Sequence, residues 1–336
     1  MNYRRATVLA QESASTPATK TVDITVKDPI SRLIVKFNYL NDGHAATAHP
    51  AKIIKTLELV DGSDVLTSLS GMQAEVLNFC DTGQRRGHEL EYRNDCWGEI
   101  VLALNFGRFL YDPILALDPA KFRNPQLKVS HDLALGGSAP DDATLEVFAD
   151  IFDEKDVSPT GFLSAKQWYS YTLQAGAYHH VDMPTDHILR RLLILSLAAD
   201  RKYDDQFDEF KLSEDNDKRI PIQISAADLL QIAGARYGQF FEDLAACSYG
   251  IDTYNWYITP SGNGNFQISP IGDAEVYTAN QRKGGYQDVS NSAVCVWRAL
   301  VSGFEPHGGV PIDFGNPADL DDWYDVTKVG SLVLRI

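Results

Sequence analysis

The sequence predicts an all-β chain folded as two tandem β-sandwiches lying side by side. Three observations lead there. Runs of alternating apolar and polar residues recur along the chain, ISRLIVKFNYL at Ile30 to Leu40 being the clearest, and a period of two marks a half-buried strand. At 336 residues the chain is too long for one ordinary sandwich and suits two domains of about 150–170 residues. The same order of elements also runs through both halves while the loops lengthen, as duplication with surface insertions produces.

Taken in order, residues 1–19 (MNYRRATVLAQESASTPAT) are polar and Ser/Thr/Ala-rich. They read as a flexible arm whose Arg4 and Arg5 are free to meet an anionic surface, lipid or genome. Thr21 to Val26 and Ile30 to Leu40 are strands separated by Asp28-Pro29. Ile53 to Phe79 (IIKTLELVDGSDVLTSLSGMQAEVLNF) reads as strand, tight turn at Asp61-Gly62, strand and short helix. Ser70 stands three residues before Gln73, the spacing of a capping box, and Met72, Val76 and Phe79 share one helical face with Leu77 beside them. Arg85-Arg86 falls in a loop, and His88 to Tyr92 and Trp97 to Leu104 are strands. Asp118-Pro119 starts a helical turn, Gln126 to Ser130 is a strand, and Thr144 to Phe152 closes the first domain.

Asp153 to Gly161 (DEKDVSPTG) has the composition of a linker. The predicted organisation is arm 1–19, first sandwich 20–153, linker 154–162 and second sandwich 163–336, each sandwich carrying a short helix after an inner strand. In the second half, Lys166 to Gln174 is a Trp/Tyr-rich strand and Ile188 to Ala198 a strand buried on both faces. Asp204 to Arg219 is a charged surface hairpin, and Asn280 to Ser292 a long loop. Ser225 caps a second helix as Ser70 caps the first. Tyr254 to Ile258 and Asn265 to Ile271 are aromatic strands; Ala293 to Val301 matches Trp97 to Leu104, and Ser331 to Ile336 matches Gln126 to Ser130.

The wording of Ile53 to Phe79, together with FGRFLYDPILALDPAKFRNPQLKVSHD at Phe106 to Asp132 and the repeated layout, resembles the double jelly-roll major capsid proteins of tailless, icosahedral, membrane-containing bacteriophages. The resemblance covers most of residues 30–132 by motif and the remainder by layout. It implies two jelly rolls per chain, three chains in a pseudo-hexameric capsomer, and capsomers tiling an icosahedral shell over an internal membrane. Implied partners are further copies of the chain, penton and minor capsid proteins, and the membrane through the N-terminal arm. The implied place is the virion, after assembly in the host cytoplasm, and the implied role is structural, not enzymatic.

The residues themselves carry little chemistry. A net charge of −16 repels phosphates and excludes a sequence-specific nucleic-acid binder. It is compatible with a divalent cation such as calcium bridging carboxylates at subunit contacts; no cofactor is called for. Cys80, Cys96, Cys247 and Cys295 lack CxxC or zinc spacing and read as buried thiols, with disulfide pairing left open. The N-terminus has no apolar core of a secretory signal, and no run approaches the length of a membrane span. There is no nucleophile elbow, P-loop or HExxH. His179, His180 and His187 with Asp182 and Asp186 form the densest ligand-type cluster, but Pro184 breaks the segment, so catalytic, cofactor and metal residues are all read as none. The acidic clusters Asp141-Asp142, Asp204-Asp205 with Asp208-Glu209, and Asp321-Asp322 with Asp325 read as solvated loop ends. The alternative function is a two-domain glycan-binding or glycan-processing protein, with Trp168-Tyr169 and Trp256-Tyr257 stacking on sugar rings.

Overall fold

The computed structural model describes residues 2–42, 47–83, 89–137, 140–154, 156–198, 201–248, 253–271, 276–281, 285–291 and 295–336. The Arg85-Arg86 loop and His88 lie outside the described residues. The first half contains β1 (Tyr3–Ser13), β2 (Ala18–Asp23), β3 (Ile30–Asn41), β4 (Ile54–Asp61), β5 (Asp64–Leu69), α1 (Gly71–Thr82), β6 (Leu90–Glu91), β7 (Cys96–Asn105), β8 (Pro125–His131) and β9 (Pro140–Phe152). Their sheets have the orders β1-β9-β3-β7 and β2-β8-β4-β5, all antiparallel. Strands β1 to β4 alternate between the two sheets, β5 pairs with β4 through the turn at Gly62 (φ 63°), and β7 to β9 alternate again. That path is a jelly roll. The alternating residues Leu33, Val35 and Phe37 of β3 meet Leu57, Leu59, Leu127 and Val129 of the facing sheet in one core.

Residues 3–13 are a strand rather than a flexible arm. β1 pairs with β9 from Tyr3–Phe152 to Ser13–Thr144, with register breaks at Thr7/Leu9 and Leu9/Glu12. Ala6, Val8 and Leu9 pack against the core. Bulges of this kind interrupt the period of two, and an edge strand needs only one apolar face, so its composition resembles a polar tail.

The second half contains β10 (His180–Asp182), β11 (Arg191–Leu195), β12 (Glu209–Glu214), β13 (Arg219–Ser225), α2 (Ala226–Tyr237), β14 (Phe240–Ser248), β15 (Thr253–Tyr257), β16 (Pro260–Ile271), β17 (Val276–Gln281), β18 (Tyr286–Asn291), β19 (Cys295–Pro306), β20 (Gly309–Asp313) and β21 (Leu332–Arg335). Sheets β10-β21-β12-β13 and β11-β20 enclose Phe210, Leu212, Ile194, Val310 and Leu334. The order of the first half is visible again. β12, β13 and α2 repeat β4, β5 and α1; β21 lies between β10 and β12 as β8 lies between β2 and β4; β20 pairs with β11 as β7 pairs with β3.

Several expectations are corrected here. Both helices follow the edge strand of a sheet, β5 or β13, rather than an inner one. The counterpart of Trp97–Leu104 is β20, not Ala293–Val301. β19 belongs instead to an insertion, β14 to β19, whose sheets β16-β19-β14-β6 and β15-β18-β17 carry their own core of Leu244, Trp256, Trp297 and Val301. Of the described parts of 280–292, residues 280–281 end its strand β17 and 286–291 form β18, with Gly285 in the bend before β18. Residues 166–174 form no strand beyond a single bridge at Lys166; their aromatic run is exposed at Trp168 and Tyr169. β11 is shorter than 188–198, since Ile188 and Leu197 face solvent. Asp204 to Arg219 does hold a hairpin, but β12 within it is an inner strand with Phe210 and Leu212 in the core.

The expected boundary at 162/163 falls inside a stretch still attached to the first sandwich. Thr160 and Leu163 donate backbone N–H groups to Ile114 (2.9 Å) and Phe106 (2.8 Å), and Gln167 donates to Ser68 (3.1 Å). β6, from the first half, pairs parallel with β14 of the second.

Candidate functional site at the joint of the two sandwiches

α1 is the hinge pin of the molecule. Its N-terminus carries the full capping box, with Ser70 accepting from the Gln73 amide and the Gln73 side chain accepting from the Ser70 amide. Gly71 is required where it stands, since a Cβ there would lie 2.3 Å from the Ala51 carbonyl oxygen. So anchored, the helix presents Val76, Phe79 and Cys80 to Phe240, Leu193, Leu195 and Tyr237 of the second half. The Phe79 and Phe240 rings meet at 5.4 Å, edge to face.

At the C-terminal end of α1, Asp81 accepts from Arg190 and Arg191, each at 2.8 Å. A carboxylate is unfavourable beside a helix C-terminus, and the two guanidinium groups offset it. Arg191 also reaches Asp313 at 2.6 Å, Arg236 reaches it at 3.2 Å, and the Tyr237 hydroxyl donates to it. Burial works against the Arg191 charge, but Asp81 and Asp313 outweigh it and raise its pKa, so the group stays charged. Arg108, held by buried Asp112 at 2.6 Å, crosses the joint to the Ala318 carbonyl at 2.9 Å.

At the other end of the joint stand His49, Glu75 and His307. His49 caps the 3-10 turn Pro50–Ile53, its Nδ1 accepting from the Ala51 amide at 3.1 Å. That nitrogen therefore carries no proton, and Nε2–H donates to Thr259 Oγ1 at 2.9 Å. Thr259 in turn donates to Glu242 at 2.6 Å. His307 sits in the turn from β19 to β20 at φ 51°, a conformation few non-glycine residues adopt. Its Nε2 lies 2.9 Å from Glu75 Oε2, and its ring meets that of His49 edge to face at 4.6 Å. One ligand atom from each of the three side chains lies within 4.8 Å of the others. A cavity of about 50 Å³ adjoins the two histidines, lined also by Lys52, Met72, Thr259 and Gly308.

The histidines singled out by sequence do not converge in this way. His179 stacks on Tyr171 at 4.0 Å, His180 lies exposed in β10, and His187 faces solvent beside Asp186. The Asp182 carbonyl accepts from the Trp168 indole. The acidic clusters act locally: Asp142 accepts from Ser15, Asp322 from the Asn316 amide, Asp325 caps a 3-10 turn through Thr327, and Glu209 pairs with Arg335. Asp204, Asp205 and Asp208 are exposed. Trp256 is buried against Tyr92 and Trp297 and cannot stack on a sugar. Arg4 and Arg5, read as free for an anionic surface, pair with Asp153 and Asp150, each at 2.9 Å. Cys80 and Cys96 are free thiols; the Cys295 side chain lies outside the described residues. The His49–Glu75–His307 group escaped sequence reading because its members come from three separated segments.

Comparison with solved structures decides the architecture. VP54 of PBCV-1, as fitted into a reconstruction of the virophage Sputnik, superposes with a TM-score of 0.53 at 10% identity, covering 99% of this chain and 84% of that one. A quasi-atomic model of the PBCV-1 capsid gives 0.53 at 12% identity with the same coverage. The fold is that of double jelly-roll capsid proteins. The major capsid protein of Sulfolobus turreted icosahedral virus shares this double jelly roll with a TM-score of 0.50 at 13% identity, covering 89% of this chain and 96% of that one. No family model matches the sequence, and no curated protein does. At these identities what the chains share is the backbone path, not the side chains.

Proposed function

We propose that this chain is a major capsid protein of an icosahedral virus. Three copies associate so that their six sandwiches form a pseudo-hexagonal capsomer, and capsomers tile the shell together with penton and minor proteins. The observation that carries this reading is the doubled jelly roll, with α1, β6 and the residues after 160 locking its halves into one body. A rigid pair of similar sandwiches lets a three-fold assembly imitate six-fold packing. Exposed apolar side chains support lateral contacts: Phe109, Leu110 and Ile114 from the first half, and Trp168, Tyr169, Tyr178 and Ile188 from the second. Virion location follows from the same reading. Arg4 and Arg5, the arm's cations, are held in ion pairs with Asp153 and Asp150.

Light scattering on the purified chain, followed by electron microscopy, tests the proposal. A trimer with a hexagonal outline is expected. A monomer at every concentration, with no assembly under crowding or high salt, would overturn it.

A further inference from the structure

We propose that His49, Glu75 and His307 form a transition-metal site, suited to zinc, that clasps the two sandwiches together. This stands apart from the capsid reading and would hold whatever the chain assembles into. Two imidazoles and a carboxylate are a donor set that zinc accepts with a water in the fourth position. The three ligand atoms already converge within 4.8 Å. Zinc bonds of about 2.0–2.1 Å put tetrahedral ligand atoms about 3.3 Å apart, so the His307–Glu75 contact of 2.9 Å opens by a few tenths of an ångström to admit the ion. The metal then takes the place of the hydrogen bond between them.

The surroundings suit such a site. His49 is buried, and the His307 and Glu75 side chains are 4% and 10% exposed, so the ligand atoms are largely screened from bulk water. Ligating histidines are usually oriented by a hydrogen bond from the other ring nitrogen. His49 has two such bonds, to the Ala51 amide and the Thr259 hydroxyl. In this tautomer only Nδ1 carries a lone pair, so Nδ1 gives up the Ala51 amide to take the metal while Nε2–H keeps the ring in place on Thr259. Thr259 is tied to Glu242 by both its hydroxyl and its amide, and its carbonyl accepts the His307 amide at 2.7 Å. One fixed residue thus positions both histidines. The adjoining cavity of about 50 Å³ has room for the water that completes the coordination. The left-handed backbone at His307 (φ 51°) carries strain of the kind kept where a side chain must be aimed. Because His49 and Glu75 belong to the first half and His307 to the second, the ion bridges the joint.

The test uses the full chain, stripped with a chelator and supplied with zinc chloride. Retention of one zinc per chain after gel filtration is expected, with a melting temperature raised by at least about 2 °C at saturating metal. Cobalt chloride in place of zinc is expected to give the visible absorption of a tetrahedral site, which reports ligation without any substitution. Glu75→Gln and His307→Gln are expected to weaken binding by at least about ten-fold, whereas combined His179→Gln, His180→Gln and His187→Gln leaves it unchanged. If His307→Gln does not fold, Glu75→Gln and the cobalt spectrum decide. Failure of the native chain to retain zinc, or binding that survives Glu75→Gln and vanishes with the surface histidines, would overturn the proposal.

Discussion

Asp150 illustrates what one residue contributes. It lies in β9, 2% exposed, and receives Arg5 of β1 at 2.9 Å and Arg32 of β3 at 2.5 Å. Burial alone would raise its carboxyl pKa, but the hydrogen bonds from the two arginines outweigh this and hold it below the ordinary carboxylate range. Asp150→Asn is expected to cost about 2–3 kcal/mol, less than a fully buried pair because both arginines reach solvent. A depressed folded pKa means that the stabilisation is complete above the unfolded value and lost as pH falls through the folded one. The native and variant chains should therefore differ in denaturant midpoint at pH 7 and converge in acid; an equal gap at both would refute the ion-pair account. Cys80 is a second case. Burial at the joint pushes its thiol up to about 12 against the opposing charge of Arg191, so a thiol reagent at pH 8 should leave it unmodified until the protein unfolds. Peptide mapping of the labelled chain checks this.

Among elements, β1 and α1 matter most to the architecture. Deleting residues 2–13 removes a whole edge strand from the first sandwich and uncovers the edge of β9, a template for aggregation. Soluble yield should collapse; a truncated chain as soluble and stable as the native one would mean that β1 contributes nothing. α1 was legible because its signals are local: a cap, a box and an apolar face within a dozen residues. What it packs against was not legible, since Phe240, Leu193 and Leu195 lie more than a hundred residues away. Phe79→Ala is expected to destabilise the protein by about 3–4 kcal/mol through the cavity left facing Phe240, as read by chemical denaturation. A loss under 1 kcal/mol would show that the joint repacks around the gap. β6 lies within the strand read at His88 to Tyr92, but its pairing with β14 of the other half went unrecognised because no local signal names a partner more than a hundred residues away.

For the whole molecule, the halves are joined through α1, β6, the Arg190–Arg191–Asp81–Asp313 network and the residues after 160. A short tether between independent domains would allow each to melt alone. This joint instead couples them, so thermal unfolding followed by tryptophan fluorescence and by far-ultraviolet circular dichroism should give one coincident transition; two resolved transitions would contradict it. The sequence by itself determined the β class, the duplication, α1 with its cap and the strands whose alternation is strict, because those depend on side-chain period and on hydrogen bonds between near neighbours. It misplaced β1, whose bulges break the period, and took β19 for the counterpart of β7, because an apolar strand looks the same in any sheet. Only the tertiary structure decided which strands are partners, where the insertion of β14 to β19 sits, and that His49, Glu75 and His307 meet. Each of these is a choice among long-range pairings of nearly equal local energy, and it is settled by which arrangement buries both apolar faces of the chain at once.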